Sequence, residues 1–174
     1  MIKTVMAIFM MMAFAASAQA ESALLTLPYG IELGKPLTDA QKQRNTTQES
    51  LKNGKIRYDF TGRFTVLVDR YKVAQSLDFG APDKLPRGWR RLGLQICDER
   101  STSGTPYDET LAIFKKEGAK NIRVVHKYDI FKTVKLDLDG KFTYELNFMI
   151  EKDAHGHCGG MGLWSVTVSR YDDY

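Results

Sequence analysis

The fold prediction starts from the stretch Val134-Lys135-Leu136-Asp137-Leu138-Asp139-Gly140-Lys141-Phe142-Thr143-Tyr144-Glu145-Leu146, in which apolar and polar residues alternate on both sides of an Asp-Gly pair. Alternation with a period of two is typical of a strand with one buried face, and Asp-Gly is typical of a hairpin turn. A two-residue turn would put the apolar residues of the two strands on opposite faces. A three-residue loop pairs Asp137 with Lys141 and keeps Leu136 opposite Phe142, with Gly140 as the bulge residue after a type I turn. We predict an antiparallel hairpin in that register.

Further strands and one clear helix are predicted outside this hairpin. The strand patterns are Phe64, Val66 and Val68; Leu92, Leu94 and Ile96; Ile122, Val124, His126 and Tyr128; and Trp164, Val166 and Val168. A helix is predicted over 106–117, because Pro106 suits the first helical position and Gly118 suits the end. A shorter helix is predicted to begin at Thr38 or Asp39. The predicted fold class is α+β: a single two-layer domain in which an antiparallel sheet, with a meander of about four strands in the C-terminal half, packs with one or two helices.

The first 20 residues have the three parts of a secretory signal peptide. Lys3 gives a basic start, residues 4–16 are apolar apart from Thr4, and Ala18-Gln19-Ala20 is a cleavage site of the A-x-A type. The apolar run is shorter than the roughly 20 residues of a membrane span. We predict a signal peptide over 1–20, one globular domain over 21–174, no membrane span in the mature chain, and a bacterial protein that is periplasmic or secreted.

Charge and motifs exclude several classes of function. The net charge is +4, and one of these charges, Lys3, leaves with the signal peptide. The remaining charges are mixed along the chain, unlike the clustered basic surface of a nucleic-acid-binding protein. The sequence contains no nucleotide-binding, serine-hydrolase or zinc-protease motif. We therefore predict no catalytic residue, no cofactor and no nucleic-acid partner, and we favour a binding protein over an enzyme. A small hydrolase with a dispersed site stays open.

Two segments are candidates for contact with a partner. Arg87, Trp89, Arg90 and Arg91 form a basic and aromatic cluster within a predicted irregular loop over 80–91. Arginine and tryptophan are enriched in binding hot spots, although a Trp in such a loop can instead pack on the core. The second segment is the connection over 152–162, which contains His155 and His157.

These observations lead to a leading hypothesis and one alternative besides the hydrolase. The leading hypothesis is a module that binds another protein, such as an inhibitor or immunity protein that occludes the cleft of a cell-wall-degrading enzyme. The alternative is a periplasmic metal-binding accessory protein that uses His155 and His157, since imidazole is a good zinc or copper ligand. No fourth ligand is evident from the sequence, so no metal site is assigned.

The two cysteines, Cys97 and Cys158, are predicted to form a disulfide, because an even count in an oxidising compartment favours one. Thiol titration of the denatured, unreduced protein should find no free thiol, and titration after reduction should find two. Reduction should also destabilise the fold by on the order of 4 kcal/mol, as expected for a closed loop of about 60 residues. Two free thiols before reduction would contradict the bond and strengthen the metal-binding alternative.

Overall fold

The computed structural model describes residues 22–44, 47–60, 63–80, 85–97, 104–149 and 161–171. Within them the helices and strands are α1 (Asp39–Lys42), β1 (Thr47–Ser50), β2 (Ile56–Asp59), β3 (Thr65–Val68), β4 (Ala74–Gly80), α2 (Arg87–Arg91), α3 (Tyr107–Lys116), β5 (Lys120–Lys127), β6 (Phe131–Leu138), β7 (Phe142–Met149) and β8 (Gly162–Arg170). Single 3-10 turns occur at Ala23–Leu25, Pro28–Gly30 and Lys52–Gly54. None of the helices in these ranges is long and apolar enough to cross a membrane.

The strands of the described ranges form one antiparallel sheet in the order β1-β2-β3-β4-β8-β7-β6-β5. The sheet consists of two four-stranded meanders, which α1 and α3 precede in the chain, and the pairing of β4 with β8 joins them. The prediction of an antiparallel sheet with short helices is confirmed. The predicted C-terminal meander of about four strands corresponds to β5–β8, but it falls short of the whole sheet, which has eight strands because the N-terminal half contributes a second meander.

The hairpin between β6 and β7 keeps the predicted pairing of apolar rows but not the predicted register. Leu138 lies opposite Phe142 and Leu136 opposite Tyr144, so the three-residue loop spans 139–141. The turn begins at Leu138, since the Lys141 amide donates to the Leu138 carbonyl at 3.1 Å. Asp139 and its neighbour Gly140 have φ values of 55° and 60°. Two positive φ angles are typical of a type I′ turn, which replaces the predicted type I turn.

The segment predicted as a strand over Leu92–Ile96 does not join the sheet. Leu94 and Ile96 are buried, as the alternation predicts. The Cys97 amide donates to the Leu163 carbonyl at 2.8 Å, which holds the segment against the beginning of β8. The Thr105 amide donates to the Gln95 carbonyl at 2.9 Å on the way to α3. The segment is therefore a connection that follows α2 and buries Leu94 and Ile96 without belonging to a ladder.

Bulges overturn two of the predicted strand faces. The register of β5 with β6 shifts between Lys120 and Arg123 and again between Val124 and His126. Because each bulge changes the side on which later residues lie, the predicted common face of Ile122, Val124, His126 and Tyr128 is wrong. In β8 the register shifts opposite Asn147 and Phe148, so Leu163 takes the buried position predicted for Trp164.

The predicted long helix is confirmed as α3, with Pro106 at the N-cap instead of the first helical position. Gly118 follows its end with a φ of 92°, a conformation that favours glycine. The shorter predicted helix is α1, which Thr38 and Gln41 begin with a reciprocal capping box. Both helices are therefore located by the residues at their ends, which are proline and glycine for α3 and a polar capping box for α1.

The largest buried side chains meet around Tyr144 on β7. Its ring lies 5.8 Å from the ring of Trp89 on α2 and 5.1 Å from that of Phe114 on α3, measured between centroids. Its hydroxyl donates to the Leu24 carbonyl, and Trp89 Nε1 donates to the Ala23 carbonyl at 3.0 Å. Helices α2 and α3 and the segment that begins at Ser22 are thus fixed to the same region of the sheet.

Gly104 lies where backbones are in close contact, and it provides a test of this arrangement. A Cβ atom there would lie 2.3 Å from the Leu163 carbonyl oxygen and 3.0 Å from the Cys97 amide nitrogen. Gly104→Ala should lower the free energy of unfolding by about 3 kcal/mol, because backbone atoms must move to admit the methyl group. Urea denaturation measures the change. Gly80→Ala is the control, since its Cβ would have an ordinary 3.9 Å contact, and equal stability of the two variants would contradict the packing described.

Candidate functional site

The basic and aromatic cluster lies on a helix, which corrects the predicted irregular loop over 80–91 at residues 87–91, while residues 81–84 of that loop lie outside the described residues. Residues Arg87–Arg91 form α2. Trp89 is completely buried, and its ring lies 5.1 Å from that of Phe79. It therefore contributes no surface for a partner, contrary to its prediction as a binding residue. Its indole N–H is satisfied by the Ala23 carbonyl, as expected for a buried tryptophan.

The arginines of α2 remain on the surface. Arg87, Arg90 and Arg91 are exposed, and Arg90 Nε donates to the Leu85 carbonyl at 3.0 Å. The side chains of Arg87 and Arg91 make no hydrogen bond or ion pair with another described residue. Residues four apart lie on the same side of a helix. The guanidinium groups of Arg87 and Arg91 can thus contact one partner from the same side of α2, whose backbone is held in place by the buried Trp89.

Most of the second predicted contact segment, residues 152–160 with His155, His157 and Cys158, lies outside the described residues, and the predicted connection over 152–162 is too long at its end because Gly162 already begins β8. Cys97 is buried and does not carry a free thiol, and its predicted bond to Cys158 stays a prediction. No group of three potential metal ligands occurs among the residues that the structure describes. The metal-binding alternative therefore still rests on the sequence.

The ladder of the sheet shows where the predicted contact segments attach. Gly80, the last residue of β4, lies opposite Ser165 near the beginning of β8. Met149, the last residue of β7, lies opposite Gly162. The connections that follow β4 and β7 therefore leave the sheet at the same end, which we call the loop end.

The hairpin of β5 and β6 also turns at the loop end, and sequence reasoning did not select it. The exposed large hydrophobic residues of the described ranges are Tyr71, Val124, Tyr128 and Ile130, and all but Tyr71 belong to this hairpin. The side chains of Arg123 and Lys127, close to them, make no polar contact with a described residue. The sequence feature that could have identified the hairpin is the largely apolar segment Tyr128-Asp129-Ile130-Phe131 between basic residues. It was missed because Tyr128 was predicted to lie on a buried face.

The open face of the sheet, opposite the helices, is polar and internally hydrogen-bonded. Thr133 Oγ1 donates to Asn147 Oδ1 at 2.8 Å, and Asn147 Nδ2 donates to Ser165 Oγ at 3.0 Å. Thr167 Oγ1 donates to Asp78 Oδ1 at 2.7 Å where β4 pairs with β8. Burial raises the pKa of Asp78, while the hydrogen bond from Thr167 opposes the shift. Ionisation of Asp78 therefore costs free energy, and the residue lies where β4 pairs with β8.

A cleft of about 890 Å³ lies beside the end of α3 and the turn between β6 and β7. Its charged lining residues are Lys116, Glu117, Lys120, Asp137, Asp139 and Lys141. Asp137 accepts hydrogen bonds from Asn121 and Thr143, and Glu117 accepts one from Ser22. The lining residues include no histidine or cysteine. Two of its carboxylates are thus held by internal hydrogen bonds, and the hydrolase alternative stays a hypothesis from the sequence.

Comparison of the chain with protein-family models, with curated proteins and with solved structures finds no significant match.

The burial of Asp78 leads to a prediction about pH. Because its pKa is raised in the folded state, the stability that this group contributes is present below its ordinary pKa of 3.8 and is lost as pH rises through the raised value. Asp78→Asn removes the buried charge and should raise the melting temperature at about pH 7, with the gain shrinking towards about pH 3. Thermal unfolding at several pH values measures this. The exposed Asp129→Asn variant is the control, and a pH-independent gain, or a loss at neutral pH, would contradict the prediction.

Proposed function

We propose that the mature chain, as a single two-layer α+β domain, is exported to the bacterial periplasm or secreted and acts by binding another protein. The concrete form of the proposal is an inhibitor or immunity protein that occludes the cleft of a cell-wall-degrading enzyme. No cofactor is part of this function.

The observation that carries the proposal is the pair Arg87 and Arg91 on α2. Both side chains are exposed and lack a described partner, whereas Trp89 between them is buried and hydrogen-bonded. A guanidinium binds a carboxylate through two parallel hydrogen bonds. Because Trp89 fixes the helix, little backbone freedom is lost when the arginines engage a partner. Trp89 therefore positions the contact residues and does not itself contact the partner.

The chemistry of glycan hydrolysis explains why a cell-wall-degrading enzyme is a suitable partner. Most glycoside hydrolases use two carboxyl groups that flank the scissile bond and lie about 5–9 Å apart. Two arginines one helical turn apart are separated by a similar distance, since a turn rises about 5.4 Å. Arg87 and Arg91 therefore match a cleft that contains two acidic groups. Occupation of that cleft would exclude the glycan.

The test is inhibition of purified cell-wall-degrading enzymes, glycosidases and amidases included, by the processed protein. We expect stoichiometric inhibition of at least one glycosidase. Arg87→Ala and Arg91→Ala should each weaken it by about 2 kcal/mol in binding free energy, as for a hot-spot residue. The melting temperature should hardly change, because exposed charges contribute little to stability.

The matched control is Lys52→Ala with Lys55→Ala, which removes two exposed cations from the connection between β1 and β2. These variants should inhibit as well as the wild type. Failure of the wild-type protein to inhibit any enzyme in the series would overturn cleft occlusion. Unchanged inhibition by the Arg87 and Arg91 variants would place the interface elsewhere.

A further inference from the structure

We propose that the β5–β6 hairpin is a second interaction surface, by which the protein binds the surface of an anionic membrane. This surface is separate from the α2 arginines, so the inference does not depend on the function proposed above. It rests on the charge pairing of the two strands, the exposed apolar tip and the shape of the hairpin.

Cations lie opposite cations along this hairpin. Lys127 is the cross-strand partner of Lys132, and Arg123 is the partner of Lys135. Like charges in direct opposition destabilise a strand pair. Glu145 neutralises Lys135 at 3.1 Å, but the side chains of Arg123 and Lys127 have no acidic partner among the described residues. An anionic surface outside the molecule would relieve this repulsion.

The tip of the hairpin is apolar and rigid. Tyr128 and Ile130 are 66% and 60% exposed. Two hydrogen bonds close the turn: the Tyr128 amide donates to the Phe131 carbonyl at 2.7 Å, and the Phe131 amide donates to the Tyr128 carbonyl at 3.3 Å. The backbone of the tip is therefore already ordered, so that on binding the ordering cost is confined to its side chains.

The position of Lys132 keeps the charge close to the tip. Its Nζ lies 3.9 Å from the centroid of the Tyr107 ring on α3. Lys132 follows the half-buried Phe131 in the chain, and this cation–π contact holds its ammonium group near the tip. The hairpin thus carries apolar groups at its end and cations directly behind them on both strands. Interfacial membrane proteins have the same order, with aromatic and aliphatic groups at the acyl boundary and Lys or Arg at the headgroups.

Shape and charge favour a membrane over a second protein or a second copy. A stable protein interface buries about 800 Å² on each partner, far more than a two-residue turn can offer. Pairing of β5 with β5 of another copy would bring more cations together. The two bulges of β5 also hinder the addition of a foreign strand to this edge. A lipid surface requires only the insertion of the tip and the approach of cations.

Asp129, in the turn itself, is the single carboxylate at the tip. It would repel anionic headgroups and limit the depth of insertion. The proposal therefore predicts that its neutralisation strengthens binding. A purely structural role for the hairpin predicts no such gain.

The experiment is co-sedimentation of the processed protein with vesicles of equal parts phosphatidylglycerol and phosphatidylethanolamine, with pure phosphatidylcholine vesicles as the reference. We expect binding to the anionic vesicles that falls steeply with added salt. Arg123→Gln with Lys127→Gln should lower the partition coefficient by roughly 25-fold, at about fivefold per cation. Ile130→Ser should lower it by about tenfold, and Asp129→Asn should raise it by about fivefold.

Two matched controls separate this surface from general basicity. Tyr71→Ser removes the other exposed aromatic residue, which lies between Arg70 and Lys72 on the turn from β3 to β4, away from the loop end. Lys52→Gln with Lys55→Gln removes two cations near the opposite edge of the sheet. Both controls should bind as the wild type does, and all variants should have the wild-type melting temperature.

The results decide the inference independently of the enzyme assay. Loss of binding in the hairpin variants alone, with a gain for Asp129→Asn, supports it. Equal losses of vesicle binding in the hairpin and control variants would show that binding depends only on net charge, and would overturn the inference. Binding that does not depend on anionic lipid, or no binding at all, would also overturn it, and would leave the inhibition test of the α2 arginines untouched.

Discussion

The hydrogen bond from the Tyr144 hydroxyl to the Leu24 carbonyl is the contact on which the arrangement of helices depends. Both groups are buried, and an unpaired carbonyl there would cost free energy. Burial raises the pKa of Tyr144, so the hydroxyl stays protonated and remains a donor. The same ring contacts Trp89 and Phe114. One side chain of β7 therefore fixes the N-terminal segment, α2 and α3 together.

The parts of the fold that could be predicted are those in which local patterns and burial agree. The β6–β7 hairpin alternates without interruption, and Pro106 and Gly118 mark the limits of α3. Strand β1 could not be predicted, because all four of its residues are exposed and show no alternation. The faces of β5 and β8 were wrong because a bulge shifts the register by one residue, and no local pattern reveals where it occurs.

The candidate site was predicted in composition but not in geometry. The interpretation of 80–91 as a loop treated Trp89 and its neighbouring arginines as one surface cluster. In a five-residue helix the same sequence directs Trp89 into the core and leaves Arg87 and Arg91 outside. The hairpin tip was missed for the opposite reason, since an alternating pattern around Tyr128 suggested burial where the edge strand is exposed. The sequence alone could not distinguish the buried Trp89 from the exposed Tyr128. Whether a side chain is buried depends on which elements pack against it in the tertiary structure.

The Tyr144 contact also connects the proposed export of the protein to its proposed binding surface. The segment that Tyr144 and Trp89 hold begins at Ser22, two residues after the proposed cleavage site at Ala20. While the proposed signal peptide is held in a membrane, Leu24 would lie close to that membrane, since each residue spans at most about 3.6 Å, and this would hinder its entry into the core. Trp89 would then lack its carbonyl acceptor, and α2 would not be fixed. If the proposed cleavage occurs, it would therefore precede completion of the arginine surface, and binding competence would be acquired only after export.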